Sequence, residues 1–254
     1  MGKYKTKAEV ISQEVIATDI MSLVIKAETI ANEAVAGQFV SLYSKDGGHL
    51  LPRPISLCEI DKKLGTIRLV YRIVGCGTKE FSGLKAGDMI DIMGPLGNGF
   101  MKKNSRAIII GGGIGIPPML ELSRELSCEK NIVLGYRDEL FLNEEFEPYG
   151  NVYISSEDGN NGTRGNVIDA IKENGVTGDI IYACGPTPML RGIKQYAEEN
   201  NILCQISMEE KMACGIGACL ACVCKTKDVD EHSQVKNKRI CADGPVFDAR
   251  EVEL

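Results

Sequence analysis

The sequence predicts a multidomain β and α/β protein: an antiparallel β-barrel, a doubly wound parallel-sheet lobe and a small C-terminal module. Three observations predict it. Residues 1–102 read as short strands and turns with little helical signal, the texture of a closed or nearly closed antiparallel barrel. Residues 103–208 alternate short apolar runs with helical patterns, as a doubly wound parallel sheet does. Residues 209–254 carry a dense cysteine loop.

In the first segment, residues 66–74 place Ile67, Leu69, Tyr71 and Ile73 on one face, the period-two signal of a strand. Residues 38–43 and 89–93 read similarly, separated by turn pairs such as Gly47-Gly48 and Gly94-Pro95. The texture changes after Lys102-Lys103-Asn104. An apolar run at 107–110 leads into a glycine loop and a helical pattern at 119–126. Further strands are expected at 132–134, 152–154, 180–182 and 205–206, with helices at 167–173 and 189–199. No internal repeat or low-complexity segment interrupts them.

With 254 residues, 44% hydrophobic and 25% charged, the chain has the profile of a globular protein with an ample core. A net charge of -6 argues against nucleic acid or an anionic membrane surface as partner. No apolar run of about 18 residues is present, and Met1-Gly2-Lys3-Tyr4-Lys5 leads into no apolar signal segment, so neither a membrane nor an export route is expected. Ten cysteines in such a chain point to a reducing cytoplasm and to metal ligation rather than disulfides.

The most specific signal is Cys214-Gly215-Ile216-Gly217-Ala218-Cys219-Leu220-Ala221-Cys222, followed at a distance by Cys241. C-x4-C-x2-C with one remote cysteine is the spacing of plant-type 2Fe-2S clusters. Gly215 and Gly217 let the loop fold tightly enough for three thiolates to converge, because glycine tolerates positive φ. A structural zinc site is the alternative, but four-cysteine zinc sites usually show two C-x2-C-like pairs, and here only Cys219 and Cys222 form one. Cys224 lies close to Cys222, which favours Cys241 as the fourth ligand. A two-iron cluster moves single electrons, so the chain is expected to conduct them.

Gly111, Gly112, Gly113 and Gly115 follow an apolar strand and open a helix whose first turn holds Pro117 and Pro118. Amides at such a turn suit a pyrophosphate, and proline is well tolerated there. The alternative is an ordinary strand-to-helix turn. Cys184-Gly185-Pro186 ends another strand ahead of a helix, where a doubly wound sheet meets its ligand. Cys184 is therefore a candidate neighbour of a nicotinamide ring, or else a small buried residue at a tight turn. In the barrel half, Arg53 offers a fork of donors for a phosphate, Pro54 stiffens the turn, and Ser56 supplies a hydroxyl for a ring nitrogen. Gly75-Cys76-Gly77-Thr78 offers amides and a hydroxyl for a second phosphate. His49 and His232 sit in polar, loop-like surroundings and are read as plain surface residues.

Taken in order, Arg53-Pro54-Ile55-Ser56, Gly94-Pro95-Leu96-Gly97, the Gly111 loop and Cys184-Gly185-Pro186 resemble the ferredoxin–NADP reductase superfamily. With Met212 to Cys219 and Cys241-Ala242-Asp243-Gly244-Pro245-Val246-Phe247, essentially the whole chain resembles the electron-transfer subunits of NAD-dependent (class 1B) dihydroorotate dehydrogenases. The resemblance implies an FAD-binding barrel at 1–102, an NAD-binding lobe at 103–208 and a 2Fe-2S module at 209–254. It implies that Arg53, Pro54, Ile55 and Ser56 hold FAD, completed by Val70, Tyr71, Arg72, Gly77 and Thr78. The implied cluster ligands are Cys214, Cys219, Cys222 and Cys241, which leaves Cys224 outside the set.

The same resemblance implies a partner: an FMN-containing catalytic subunit, two of each chain forming a heterotetramer that serves pyrimidine (UMP) biosynthesis. Electrons would pass from that FMN through the cluster and FAD to NAD. NADP-preferring relatives often carry Ser-Arg where this chain has Ser156-Glu157-Asp158, so Glu157 is expected to favour NAD over NADP by repelling the extra phosphate. Related flavin and iron–sulfur subunits that serve ferredoxin, sulfide or glutamate partners share these features. No catalytic Ser/His/Asp set accompanies them, as expected where cofactors carry the chemistry.

Overall fold

The structure, a computed structural model, describes residues 2–45, 48, 50–227, 229 and 234–254. Gly47 of the expected Gly47-Gly48 turn, and both histidines, lie outside the described residues.

Alternation in the first segment closes it into a barrel. Strands β1 (Tyr4–Ala17), β2 (Ile20–Lys26), β3 (Phe39–Tyr43), β4 (Arg53–Asp61), β5 (Thr66–Arg72) and β6 (Met89–Leu96) pair antiparallel in the closed order β1-β2-β5-β4-β3-β6. Because successive side chains point to opposite faces, Ile67, Leu69 and Tyr71 of β5 meet Leu23, Ile25, Leu42 and Ile92 inside the barrel. Val70, between them, faces the other way and packs with Ile109, Met119 and Leu120 of the lobe. Two short helices, α1 (Glu28–Glu33) and α2 (Cys76–Phe81), interrupt the strands. Neither is expected from the sequence, because six residues give too few turns to show helical periodicity.

The lobe contains β7 (Ala107–Gly112), β8 (Lys130–Tyr136), β9 (Asn151–Ser156), β10 (Thr163–Arg164), β11 (Ile180–Cys184) and β12 (Leu203–Ser207). They run parallel in the order β10-β9-β8-β7-β11-β12. Helices α3 (Pro117–Glu125), α4 (Val167–Glu173) and α5 (Thr187–Glu199) make the crossovers. All six residues of β7 are buried, as in a strand covered on both faces. A reciprocal cap starts α4: the Asn166 side chain accepts from the Ile168 N–H at 2.8 Å, and Asp169 accepts from the Asn166 N–H at 2.8 Å. The chain leaves β7 toward β8 and later returns to lay β11 on its other side, so the topological switch point lies between β7 and β11.

In the C-terminal segment, β13 (Val223–Lys225) pairs with β14 (Asn237–Arg239) in a two-stranded sheet. β15 (Val246–Asp248) runs antiparallel beside β12 and becomes the seventh strand of the lobe sheet. A single buried cluster reflects this: Phe39 and Leu96 of the barrel, Ile108 and Ile206 of the lobe, and Cys222, Ile240 and Phe247 of the C-terminal segment share it.

Charged groups lock barrel to lobe along α3. Arg68 reaches Glu59 at 2.8 Å and Glu145 at 2.5 Å, while Arg124 reaches Glu59 at 3.2 Å and Glu121 at 3.1 Å. Glu121 is buried, and its carboxylate accepts from the Ile60 N–H of β4 at 2.9 Å. Burial pushes the Glu121 pKa up, against the pull of the Ile60 amide and Arg124. Glu121→Ala strips a buried backbone donor of its acceptor and should cost about 1–3 kcal/mol. Glu121→Gln keeps the acceptor and should cost less. Urea unfolding of the two variants beside the parent measures the difference.

Candidate functional site

Arg53-Pro54-Ile55-Ser56, the motif expected to hold a flavin, opens β4. Its residues pair with β3 in the register Leu42 with Arg53, Ser41 with Pro54, Val40 with Ile55 and Phe39 with Ser56. The Arg53 guanidinium lies over the start of α2, where a Cβ on Gly77 would come within 2.7 Å of its Nε. The amides of Cys76, Gly77 and Thr78 precede the first bond of α2, from the Lys79 N–H to Gly75 O at 2.9 Å, and are left for a ligand. The Thr78 hydroxyl is committed elsewhere: it accepts from the Val74 and Gly75 N–H groups and donates to Gly75 O. Thr78 thus shapes the turn and offers its amide. Tyr71 is buried in the barrel, with its hydroxyl on Gln13 at 3.2 Å, and Val70 is buried against the lobe. On this strand the ladder to β4 ends at Leu69, so residues 70–72 are paired with β2 alone, and the Arg72 side chain is exposed.

The nucleotide motif lies at the switch point. Gly111 of β7 is in register with Cys184 of β11, so the glycine loop and Cys184-Gly185-Pro186 are neighbours. A Cβ on Gly115 would fall 2.5 Å from the Cys184 carbonyl and 2.6 Å from the Gly185 nitrogen. Gly112 and Gly185 are closed by Met189, whose side chain would collide with a Cβ on either at 2.3 Å. Gly113 is different: its φ is +52° and nothing lies within 4 Å of its Cβ direction. The Cys184 thiol is pushed up to about 12 by burial, partly offset by a hydrogen bond with Ser207, so it is a neutral neighbour to a ligand and no nucleophile. After β9, Asp158 is tied to the Asn160 N–H and side-chain amide, whereas the exposed Glu157 carboxylate has no partner among the described residues.

The four cysteines of the pattern come together in two pairs. Cys219 lies close enough to the Cys214 thiol to help lower its pKa, and Cys222 close enough to Cys241 to help raise its pKa. Backbone N–H groups of Ile216 and Ala218 donate to the Cys214 sulfur at 3.4 and 3.3 Å, and that of Gly217 donates to the Cys241 sulfur at 3.1 Å. The Cys241 N–H donates to the Cys222 sulfur at 3.4 Å. Although burial opposes it, these amides and Cys219 bring the Cys214 thiol down to about 6, which suits a thiolate ligand. Among the described residues no three His, Cys, Asp or Glu side chains gather closely enough for one metal ion. Two thiol pairs fit two irons sharing four thiolates. Cys224 stands apart, buried on β13 opposite Lys238, with its pKa raised by burial.

The cysteine loop docks on the barrel beside the flavin motif. A Cβ on Gly215 would lie 3.0 Å from the Ser41 hydroxyl and 3.6 Å from Leu96. Ser41 in turn pairs with Pro54 of the flavin motif. Asn98 fastens the far side, with its N–H on Gly244 O at 2.7 Å, its side chain on Asp243 O at 3.0 Å, and the Val246 N–H on its oxygen at 3.2 Å. Ser41, Asn98 and Met189 escape sequence reasoning because each acts through a contact distant in the chain. Cys241→Ser should lose iron and acid-labile sulfide, whereas Cys224→Ser should keep both. Metal and sulfide analysis of protein purified without oxygen checks this.

Comparison with known proteins agrees with this fold. Residues 7–100 match the model of the oxidoreductase FAD-binding domain. Residues 209–253 match that of the iron-sulfur cluster binding domain of dihydroorotate dehydrogenase B. A dihydroorotate dehydrogenase B (NAD(+)) electron transfer subunit from Fusobacterium nucleatum is 42% identical, covering 94% of this chain and 95% of that one. One from Caldanaerobacter subterraneus subsp. tengcongensis is 41% identical, covering 98% and 99%. Among solved structures, a chain of NADH-dependent reduced ferredoxin-NADP oxidoreductase superposes with a TM-score of 0.87 at 28% identity, covering 97% of this chain and 89% of that one. An Amycolatopsis cytochrome P450 reductase, at 22% identity and a TM-score of 0.64 over 79% of this chain and 67% of that one, shares the fold. The chain belongs to the family of dihydroorotate dehydrogenase B (NAD(+)) electron transfer subunits.

Proposed function

We propose that this chain links a dihydroorotate-oxidising partner to NAD, holding FAD at Arg53, Pro54, Ile55 and Ser56, a 2Fe-2S cluster at Cys214, Cys219, Cys222 and Cys241, and NAD at the Gly111–Gly115 turn. One observation carries the reading: the cysteine loop abuts Ser41, and Ser41 is hydrogen-bonded through its strand to the flavin motif. When bound, the cluster exchanges single electrons, the flavin one or two, and the nicotinamide a hydride.

The chain's own groups supply placement and electrostatics. Arg53, with the α2 amides, neutralises the FAD pyrophosphate, and Ser56 orients the ring. Gly77 leaves room for the Arg53 guanidinium. On the other lobe, the Gly113 amide and the start of α3 face the dinucleotide phosphates, while Cys184 packs as an uncharged wall. Glu157, lacking a partner among the described residues, accepts from the adenosine ribose hydroxyls and repels a 2′-phosphate.

The relatives' names supply the partner class: an electron transfer subunit implies a catalytic one. We assign that role to an FMN-containing dihydroorotate dehydrogenase subunit, two of each forming a cytoplasmic heterotetramer. No helix among the described residues is long and apolar enough to cross a membrane.

Co-expression with that catalytic subunit, followed by an assay of dihydroorotate-dependent NAD reduction, tests the assignment. Co-purification with turnover is expected, and separate elution without turnover would refute it. Arg53→Ala removes a charge-assisted contact of about 1.5–3 kcal/mol, so FAD affinity should fall about tenfold to a hundredfold, read by flavin release on dilution. Glu157→Arg should raise turnover with NADPH relative to NADH, and unchanged discrimination would exclude Glu157 from cofactor choice.

A further inference from the structure

Two cations reach the cysteine loop from opposite ends of the chain, and each touches a peptide group that also touches a ligand sulfur. Lys3 Nζ donates to the Ile216 carbonyl at 3.3 Å. The N–H of that same peptide, on Gly217, donates to the Cys241 sulfur at 3.1 Å. Arg239 Nη1 donates to the Gly217 carbonyl at 3.1 Å. The N–H of that next peptide, on Ala218, donates to the Cys214 sulfur at 3.3 Å. The two sulfurs belong to different thiol pairs.

We infer that Lys3 and Arg239 set the electron affinity of the cluster through these two peptides, each polarised by a cation at its carbonyl and donating its N–H to a different cysteine sulfur. A positive charge on a carbonyl oxygen draws electron density from the amide and strengthens its donated bond, as in any chain of polarised hydrogen bonds. Stronger donation to the sulfurs favours the reduced, more negative cluster, because hydrogen bonds to the sulfurs are among the determinants of its potential.

The geometry is held in place. Arg239 Nε and Nη2 engage the Asp243 carboxylate at 2.9 and 3.0 Å, leaving Nη1 aimed at the loop. Gly217 has φ +88°, and a Cβ there would meet Ala242 at 2.7 Å, so glycine lets the loop pass this close to Ala242 and Arg239. Lys5 supplies an internal control. Its ammonium lies 4.5 Å from the centre of the Tyr43 ring, a ring close enough to Cys214 for its hydroxyl to feel that charge, yet among the described residues it donates to no loop carbonyl.

The inference rests on the ligand assignment proposed above, and the experiment separates the two. Full-length protein, isolated without oxygen, is prepared as parent, Lys3→Met, Arg239→Gln, the double variant, Lys5→Met and Cys241→Ser. Iron, sulfide and FAD are counted, and the cluster midpoint potential is read by a mediated redox titration followed by electron paramagnetic resonance. Lys3→Met and Arg239→Gln should each lower the electron affinity about threefold, roughly 28 mV at 59 mV per tenfold for one electron. The double variant should shift in the same direction and further than either single one. FAD content and the flavin potential should not move, and Lys5→Met should match the parent.

An unchanged cluster potential in Lys3→Met with full iron would overturn the relay. So would an equal shift in Lys5→Met, which would mark a through-space charge effect. Because Lys3 is exposed, its variant carries the test even if Arg239→Gln fails to retain iron. Failure of the ligand assignment reads differently: the parent would lack iron and sulfide, or Cys241→Ser would keep them.

Discussion

Four residue pairs, Phe39 with Ser56 through Leu42 with Arg53, tie β3 to β4, and the rest of the site hangs on that ladder. β4 begins with the flavin motif, and β3 is the wall against which the cysteine loop rests. Strands in a sheet lie about 4.8 Å apart, so the ladder fixes the separation of two binding motifs that are remote in sequence. Side chains alone would not hold that distance, because they change rotamer where a paired backbone does not. The barrel is therefore a spacer as well as a container.

The lobe is held to this spacer by a different kind of force. Arg68, Glu59, Arg124 and Glu121 form a chain of ion pairs across the seam, with Glu145 at one end. Exposed pairs of this sort contribute little singly, but here they surround a buried backbone donor that needs Glu121. Apolar packing of Val70 and Cys58 against Met119 and Leu120 continues the contact underneath. Barrel and lobe are thus joined by a seam that is oily within and ionic along its rim.

How much of this was legible depends on the range over which each feature is encoded. The thiol loop was legible because its spacing and glycines are local: Cys214, Cys219 and Cys222 sit within nine residues. The β5 alternation was legible for the same reason: it put Ile67, Leu69 and Tyr71 on one face, and the structure buries that face in the barrel. The strand and helix order of the lobe followed from apolar runs that the structure keeps within one or two residues at 167–173 and 180–182. Features that depend on tertiary closure were not legible. Lys3 and Arg239 stand 236 positions apart by their numbering and meet consecutive carbonyls, and nothing in either neighbourhood marks them. Thr78 was read as a hydroxyl donor to a ligand, but a three-residue turn captures that hydroxyl first.

β15 gives the C-terminal segment a second allegiance. By adding the outermost ribbon to the dinucleotide-binding sheet, the iron-bearing segment also shields the flank of β12 from foreign strands. Shedding or exchanging that segment, by proteolysis or by gene fusion, would expose an unpaired sheet edge. The metal-carrying part and the nicotinamide-carrying part therefore share one sheet, and removing the first leaves the second with a bare margin.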